Sequence, residues 1–263
     1  MRLTNRRKQL VRTFGKFCVT VAAIAASLSI SQVIAQDSSP YSANVSLTSD
    51  YRFRGISQNN LSPAIQGGFD YERGAFYAGT WGSNVSWLAD GGGGTVSNSM
   101  ELDIYGGWKG NAGSVPLDVG LLYYYYPGEY PTGFNSPNTL ELSLGAEFGP
   151  VSAKYSYALT DLFGFDDRKG AGYIDVSYGT EVSGFDIGLH VGYQTLPSTT
   201  GRSSSDCSYA DFSLNVGRTV GGFDLAAAFI GTNAKDGAGE CYRNAFNEDL
   251  GKGNLVLSVS KSF

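Results

Sequence analysis

The chain is poor in the residues from which most enzyme and metal centres are built. Of its 263 residues one is histidine (His190), three are cysteine and two are methionine. A lone imidazole rules out a histidine-rich metal centre. No Gly-x-Ser-x-Gly elbow offers His190 a serine nucleophile. Asp166-Asp167 and Asp236 are oxygen donors for a hard cation, yet such sites need several converging oxygens, and charged loops are ordinarily just solvated. The Gly91 to Gly94 run lacks the following lysine and the strand-to-helix setting of a phosphate cradle. No cofactor is expected.

Positive charge is also scarce. Six of the 19 basic residues (Arg2, Arg6, Arg7, Lys8, Arg12 and Lys16) lie in the first 16 positions, and none of the 24 acidic residues lies before Gln36. From Gln36 onward the count is therefore 13 basic against 24 acidic, which excludes a nucleic-acid footprint. The basic start, the apolar stretch from Phe17 to Ile34 and the ending Val33-Ile34-Ala35 predict a cleavable export signal over residues 1–35. The alternative is a retained anchor helix, for which the stretch is short and carries Ser27, Ser29, Ser31 and Gln32.

After residue 35 no apolar run approaches the roughly 18 residues that a membrane-crossing helix requires. What is abundant instead suits strands and turns: 17 tyrosines, 15 phenylalanines and 36 glycines. The dominant pattern has period two. Ala43, Val45, Leu47, Tyr51 and Phe53 alternate with Asn44, Ser46, Thr48, Asp50, Arg52 and Arg54. Met100, Leu102, Ile104 and Trp108 alternate with Glu101, Asp103, Tyr105 and Lys109. The same grammar runs through 140–148 and 185–194, and weaker strands fill 63–72, 75–85, 115–126, 151–159, 172–180, 208–218, 222–231 and 253–263.

Twelve strands of about ten residues predict an all-β fold, a closed antiparallel transmembrane barrel over 36–263 in an up-and-down meander. The rival is a soluble sandwich with its aromatics in the core. Connection lengths favour the barrel, because they alternate long (54–62, 86–98, 127–138, 160–171, 195–207, 232–252) and short. Cys18 lies in the export signal, while Cys207 and Cys241 fall in neighbouring long loops. A disulfide between them is expected, with two free thiols as the alternative.

In hydrocarbon a sheet must close on itself, so the oily faces form an outer band with aromatics such as Tyr51, Phe53, Phe69, Trp108 and Phe223 near its edges. The polar faces then line a lumen. Its expected residues include Asp50, Arg52, Arg54, Gln66, Asp70, Glu101, Asp103, Lys109, Asp118, Glu141, Lys154, Asp186 and His190, an acid-rich wall that leans toward cations. Inward carboxylates that merely hold register are the alternative. Arg52 and Arg54 are expected beside Asp50, Gln66 and Asp70 at the outer end of the first strand, as a charge-paired constriction or as an anchor of the wall. His190 is expected beside Asp186.

The segments Thr48-Ser49-Asp50-Tyr51-Arg52-Phe53-Arg54-Gly55-Ile56-Ser57-Gln58, Pro63 to Tyr71 and Phe76 to Val85 resemble the TorF-type porin family, and 101–107 is similar to it too. That resemblance implies an exported proteobacterial barrel and transport, and supplies no functional residues. The strand 255–263, ending on Phe263, resembles the signal read by the barrel-assembly machinery. Lys261 stands where that pattern usually has another apolar residue.

The sequence thus predicts a Gram-negative outer-membrane protein surrounded by lipid and lipopolysaccharide, a passive channel for small solutes or ions. Two rivals stand beside it: a non-conducting barrel, plugged by inward side chains and binding a partner through its long loops, and a barrel enzyme acting on lipid.

Overall fold

The alternating segments close into a barrel. The computed structural model describes residues 39–199 and 201–263, so the export signal expected over residues 1–35 lies outside the described residues. The wall is made of β1 (Tyr41–Thr48), β4 (Ala64–Arg73), β5 (Phe76–Asn84), β6 (Met100–Ala112), β7 (Val115–Tyr125), β8 (Thr139–Phe148), β9 (Val151–Ala158), β10 (Gly172–Val182), β11 (Phe185–Thr195), β12 (Tyr209–Val220), β13 (Phe223–Thr232) and β14 (Asn254–Ser262). These twelve strands form one closed antiparallel sheet in meander order. Closure is made by β1 with β14, in the register Asn44↔Ser262 to Thr48↔Ser258. The remaining elements sit in the long loops: β2 (Arg52–Phe53), β3 (Ile56–Ser57), α1 (Trp87–Gly91) and α2 (Ser204–Cys207). No described helix is long and apolar enough to cross a membrane.

Five connections at one rim are two-residue turns, between β4 and β5, β6 and β7, β8 and β9, β10 and β11, and β12 and β13. Gly221-Gly222 illustrates why they are so tight: φ is +61° and +80°, the mirror-image turn that matches strand twist and that only small residues adopt without strain. The other rim carries six long connections. Strand positions follow the alternation with one correction. The first strand ends at Thr48, and residues 49–63 leave the wall.

Period two makes this protein inside-out. Leu47, Ile65, Ile104, Leu144, Val191 and Leu257 stand exposed on the outer face, while Ser46, Gln66, Glu101, Asp103, Asp175, Ser213 and Ser260 are buried on the inner one. The apolar clusters lie instead in the loop-side mouth. One joins Tyr51, Val85, Leu88, Val96, Tyr124 and Tyr126, and a second joins Ala158, Leu162, Leu196 and Cys207. Tyr51, expected among the outer aromatics, is 1% exposed at the centre of the first cluster, and Phe53 packs against it. Phe69, Trp108 and Phe223 do face outward.

Candidate functional site at the loop-side mouth

Once the chain leaves β1 it turns into the lumen rather than continuing outward. Arg52↔Ser57 and Phe53↔Ile56 pair as a small hairpin whose turn is Arg54-Gly55. Both turn residues are left-handed, with φ +48° and +79°. An arginine in this region carries roughly 1 kcal/mol of strain or more, sustained only where other contacts over-determine it. A Cβ on Gly55 would lie 2.5 Å from Thr232 Cγ2 and 2.8 Å from Asp211 Cβ. The tip is therefore pressed against β12 and β13.

Arg52 locks the base of the hairpin and is 0% exposed. Its Nε donates to Asp50 Oδ2 at 2.7 Å, and its Nη1 donates to the carbonyls of Gly55 (2.9 Å), Leu250 (3.2 Å) and Lys252 (2.9 Å). Ser57 Oγ donates to the other Asp50 oxygen at 2.6 Å, and Ser57 N donates to the Leu250 carbonyl at 3.0 Å. The hairpin is thus stitched to the loop between β13 and β14. That loop is in turn held by the Cys207–Cys241 disulfide, whose Cα atoms are 5.5 Å apart, and by Tyr242, whose hydroxyl donates to the Cys207 carbonyl.

Arg54 reaches across to the far wall. Its Nη2 donates to both oxygens of Glu141 on β8, at 2.9 and 2.8 Å, and its Nη1 donates to Gln194 Oε1 on β11 at 2.7 Å. The guanidinium also lies against two rings, 4.7 Å from the centroid of Phe53 and 4.3 Å from that of Tyr173. Around it the carboxylates are braced by tyrosines. Tyr124 donates to Glu141 Oε2, and Tyr51 and Tyr126 donate to the two oxygens of Glu101.

The other expected lumen residues all face inward, but several have partners that sequence spacing did not indicate. Asp70 lies near the turn rim, opposite Ser42, and accepts from Tyr105. Gln66 meets Ser46 and Ser83. Neither touches Arg52 or Arg54, because the arginines are on the inward hairpin and not on β1. His190 is not paired with Asp186: its Nδ1 is 3.1 Å from Asp175 and its Nε2 2.7 Å from Asp211. Asp186 lies near the turn rim opposite Glu181. A strand neighbour at i−4 is about 13 Å away, whereas cross-strand neighbours are in contact. Lys109 pairs with Glu72, Asp118 accepts from Tyr77, and Lys154 lies opposite Asp175. Gln194, Tyr173 and Tyr124 were not singled out from the sequence, since their role depends on an arginine about 70 to 140 residues earlier.

The turn-side half of the lumen is built differently. Tyr105 lies over Gly79, where a Cβ would be 2.6 Å from its ring, and Tyr77 lies over Gly107 and Gly120. Inward glycines thus let the tyrosines lie flat on the wall. Among the described residues no group of three or more His, Cys, Asp or Glu side chains is arranged to hold a metal ion.

The family described as "Bacterial protein of unknown function (Gcw_chp)" matches residues 34–263. No curated protein sequence matches the chain. Among solved structures, the Acinetobacter baumannii outer membrane protein Omp33 is 7% identical, with TM-score 0.45 over 86% of this chain and 97% of that one. OprB of Pseudomonas putida is 12% identical, with TM-score 0.36 over 82% and 61%. The outer membrane protein OprD of Pseudomonas aeruginosa is 8% identical, with TM-score 0.37 over 87% and 66%.

Proposed function

The chain belongs to the Gcw_chp family of bacterial proteins of unknown function, and from its geometry we propose an outer-membrane channel for small hydrophilic solutes, held closed here by its first loop. The observation that carries this reading is the division of the lumen into two zones. On the turn side, polar residues and tyrosines lying flat over inward glycines line the lumen. On the loop side one short hairpin crosses the same lumen and is fastened at both ends. A barrel that served only as a wall or an adhesin would gain nothing from laying its inward tyrosines flat against the wall.

The apolar outer face supports insertion in lipid, and exposed Phe263 at the seam between β1 and β14 suits recognition by the assembly machinery. The resemblance of residues 48–85 to TorF-type porins agrees with transport. Glu101, Asp103, Asp118, Glu141, Asp175 and Asp211 against Arg54, Lys109, Lys154 and His190 support a lumen that leans toward cations. Lipid hydrolysis has little support. Ser177 Oγ is 3.3 Å from His190 Nδ1, but Asp175 sits at that same nitrogen and Asp211 at the other. An imidazole facing a carboxylate on each side offers no free lone pair to a nucleophile.

The test is conductance in a planar bilayer, comparing the refolded chain with a variant in which a short Gly-Ser linker replaces residues 50–61. The intact chain should be mostly silent, and the variant should show steady openings with a cation-selective reversal potential. Silence from the folded variant would make the non-conducting, partner-binding barrel the better account.

A further inference from the structure

The residues that receive Arg54 form a site that does not depend on Arg54 for its shape. Gln194 uses its amide nitrogen on the backbone carbonyls of Gly172 (3.0 Å) and Thr195 (3.2 Å), which turns its oxygen toward the lumen as an acceptor. Glu141 is held by the Tyr124 hydroxyl at 3.1 Å. Tyr173 is fixed by Asp211, which accepts from its hydroxyl at 3.0 and 3.1 Å, so its ring face stays presented to the lumen. All these braces come from the wall. Beside them Asp103, 2% exposed and close enough to feel the charges of Glu101 and Glu141, keeps Oδ1 without a hydrogen-bond partner among the described residues.

A carboxylate, a lumen-facing amide oxygen and an aromatic face, all fixed in advance, are what a planar organic cation requires. We infer that Glu141, Gln194 and Tyr173 form a binding site for solutes bearing a guanidinium group, and that Arg54 occupies it in the closed state as a tethered stand-in for such a solute. A guanidinium-bearing solute arriving from the turn side of the lumen competes with Arg54 and frees the hairpin. This rests on the channel reading only for the consequence of release; the binding itself does not.

The probe is methylguanidinium, titrated by calorimetry into the folded full chain in detergent. R54A should bind it at least about tenfold more tightly than the unaltered chain, since removing the tethered cation leaves buried charged acceptors unpaired. R54A/E141Q should lose that gain. Equal weak binding by all three would overturn the site. In case R54A fails to fold, hydrogen exchange on the unaltered chain gives an independent reading. Methylguanidinium should speed exchange at residues 52–61, whereas tetramethylammonium at the same ionic strength should not; equal effects would overturn the inference. Binding by an R54A protein that never conducts would uphold the site and sink the channel. Conduction by R54A without binding would do the reverse.

Discussion

Arg54 and Glu141 meet on the far side of the lumen from the strand that delivers the arginine, with one guanidinium nitrogen donating to both carboxylate oxygens at 2.9 and 2.8 Å. Their side chains are 7% and 4% exposed. A pair so placed does not stiffen the barrel wall. It ties the β2–β3 hairpin to the wall across the lumen, and the consequences can be measured.

The base of the hairpin should respond to Arg52 in a distinctive way. Arg52→Met leaves Asp50 buried without its partner, which costs on the order of 3–5 kcal/mol, whereas R52M/D50N should cost less than the single change. Because the barrel strands are not involved, the loss should appear as faster hydrogen exchange and proteolysis within residues 50–61, with the folded barrel's heat-resistant gel mobility retained. Equal damage from single and double variants would show that the pair is not what holds the hairpin.

The disulfide should act on the same element at a distance. Its 34-residue separation corresponds to roughly 4 kcal/mol of loop-closure stabilisation. C207S/C241S, or reduction, should lower the thermal midpoint of the loop-side mouth. It should also raise the frequency of channel openings, because the β13–β14 connection that Cys241 anchors also carries the Leu250 and Lys252 carbonyls that hold Arg52. A lower midpoint with unchanged opening frequency would separate stability from gating.

Gly79 tests the flat-tyrosine arrangement. Gly79→Ala places a Cβ 2.6 Å from the Tyr105 ring and 2.7 Å from Asp70 Oδ1, so the ring must lift from the wall. A destabilisation of about 1–3 kcal/mol is expected. Introduced into the hairpin-replaced variant, the change should reduce single-channel conductance, and an unchanged conductance would mean that Tyr105 does not border the path.

Outside the strands, Asp206 titrates unusually. The Lys235 ammonium donates to it at 2.8 Å and the Ser203 backbone N–H at 2.8 Å, which together hold its pKa down to about 2 from the ordinary 3.8. The folded value is depressed, so the contribution is present above pH 3.8 and is lost as pH falls through about 2. This link between the loops therefore persists at any pH the exposed loops ordinarily meet. Lys235→Ala should move the carboxyl midpoint upward in an NMR titration. A midpoint that stays near 2 would assign the depression to Ser203 alone.

The barrel is legible in the residues alone. Period-two alternation is a local property: each strand's own residues declare which side meets lipid and which the lumen, and a short turn such as Gly149-Pro150 declares where one strand folds back on the next. The twelve strands, the closure and the inward face of Glu101, Asp103 and Glu141 followed from that. The cysteine pairing followed from adjacent loops at one rim, because neighbours in a meander are neighbours in space. Only the tertiary structure decided what happens at the mouth. Asp50, Arg52 and Arg54 keep the alternation of a strand, so on pattern alone they extend β1. What turns them inward is the set of partners waiting there: the Leu250 and Lys252 carbonyls, Glu141 and Gln194, all more than 80 residues away in sequence. For the same reason His190 pairs across strands with Asp175 and Asp211 and not along its own strand with Asp186. Periodicity assigns a residue to a face, but hydrogen-bond and charge partners are chosen by distance in space, which is set only once the sheet has closed.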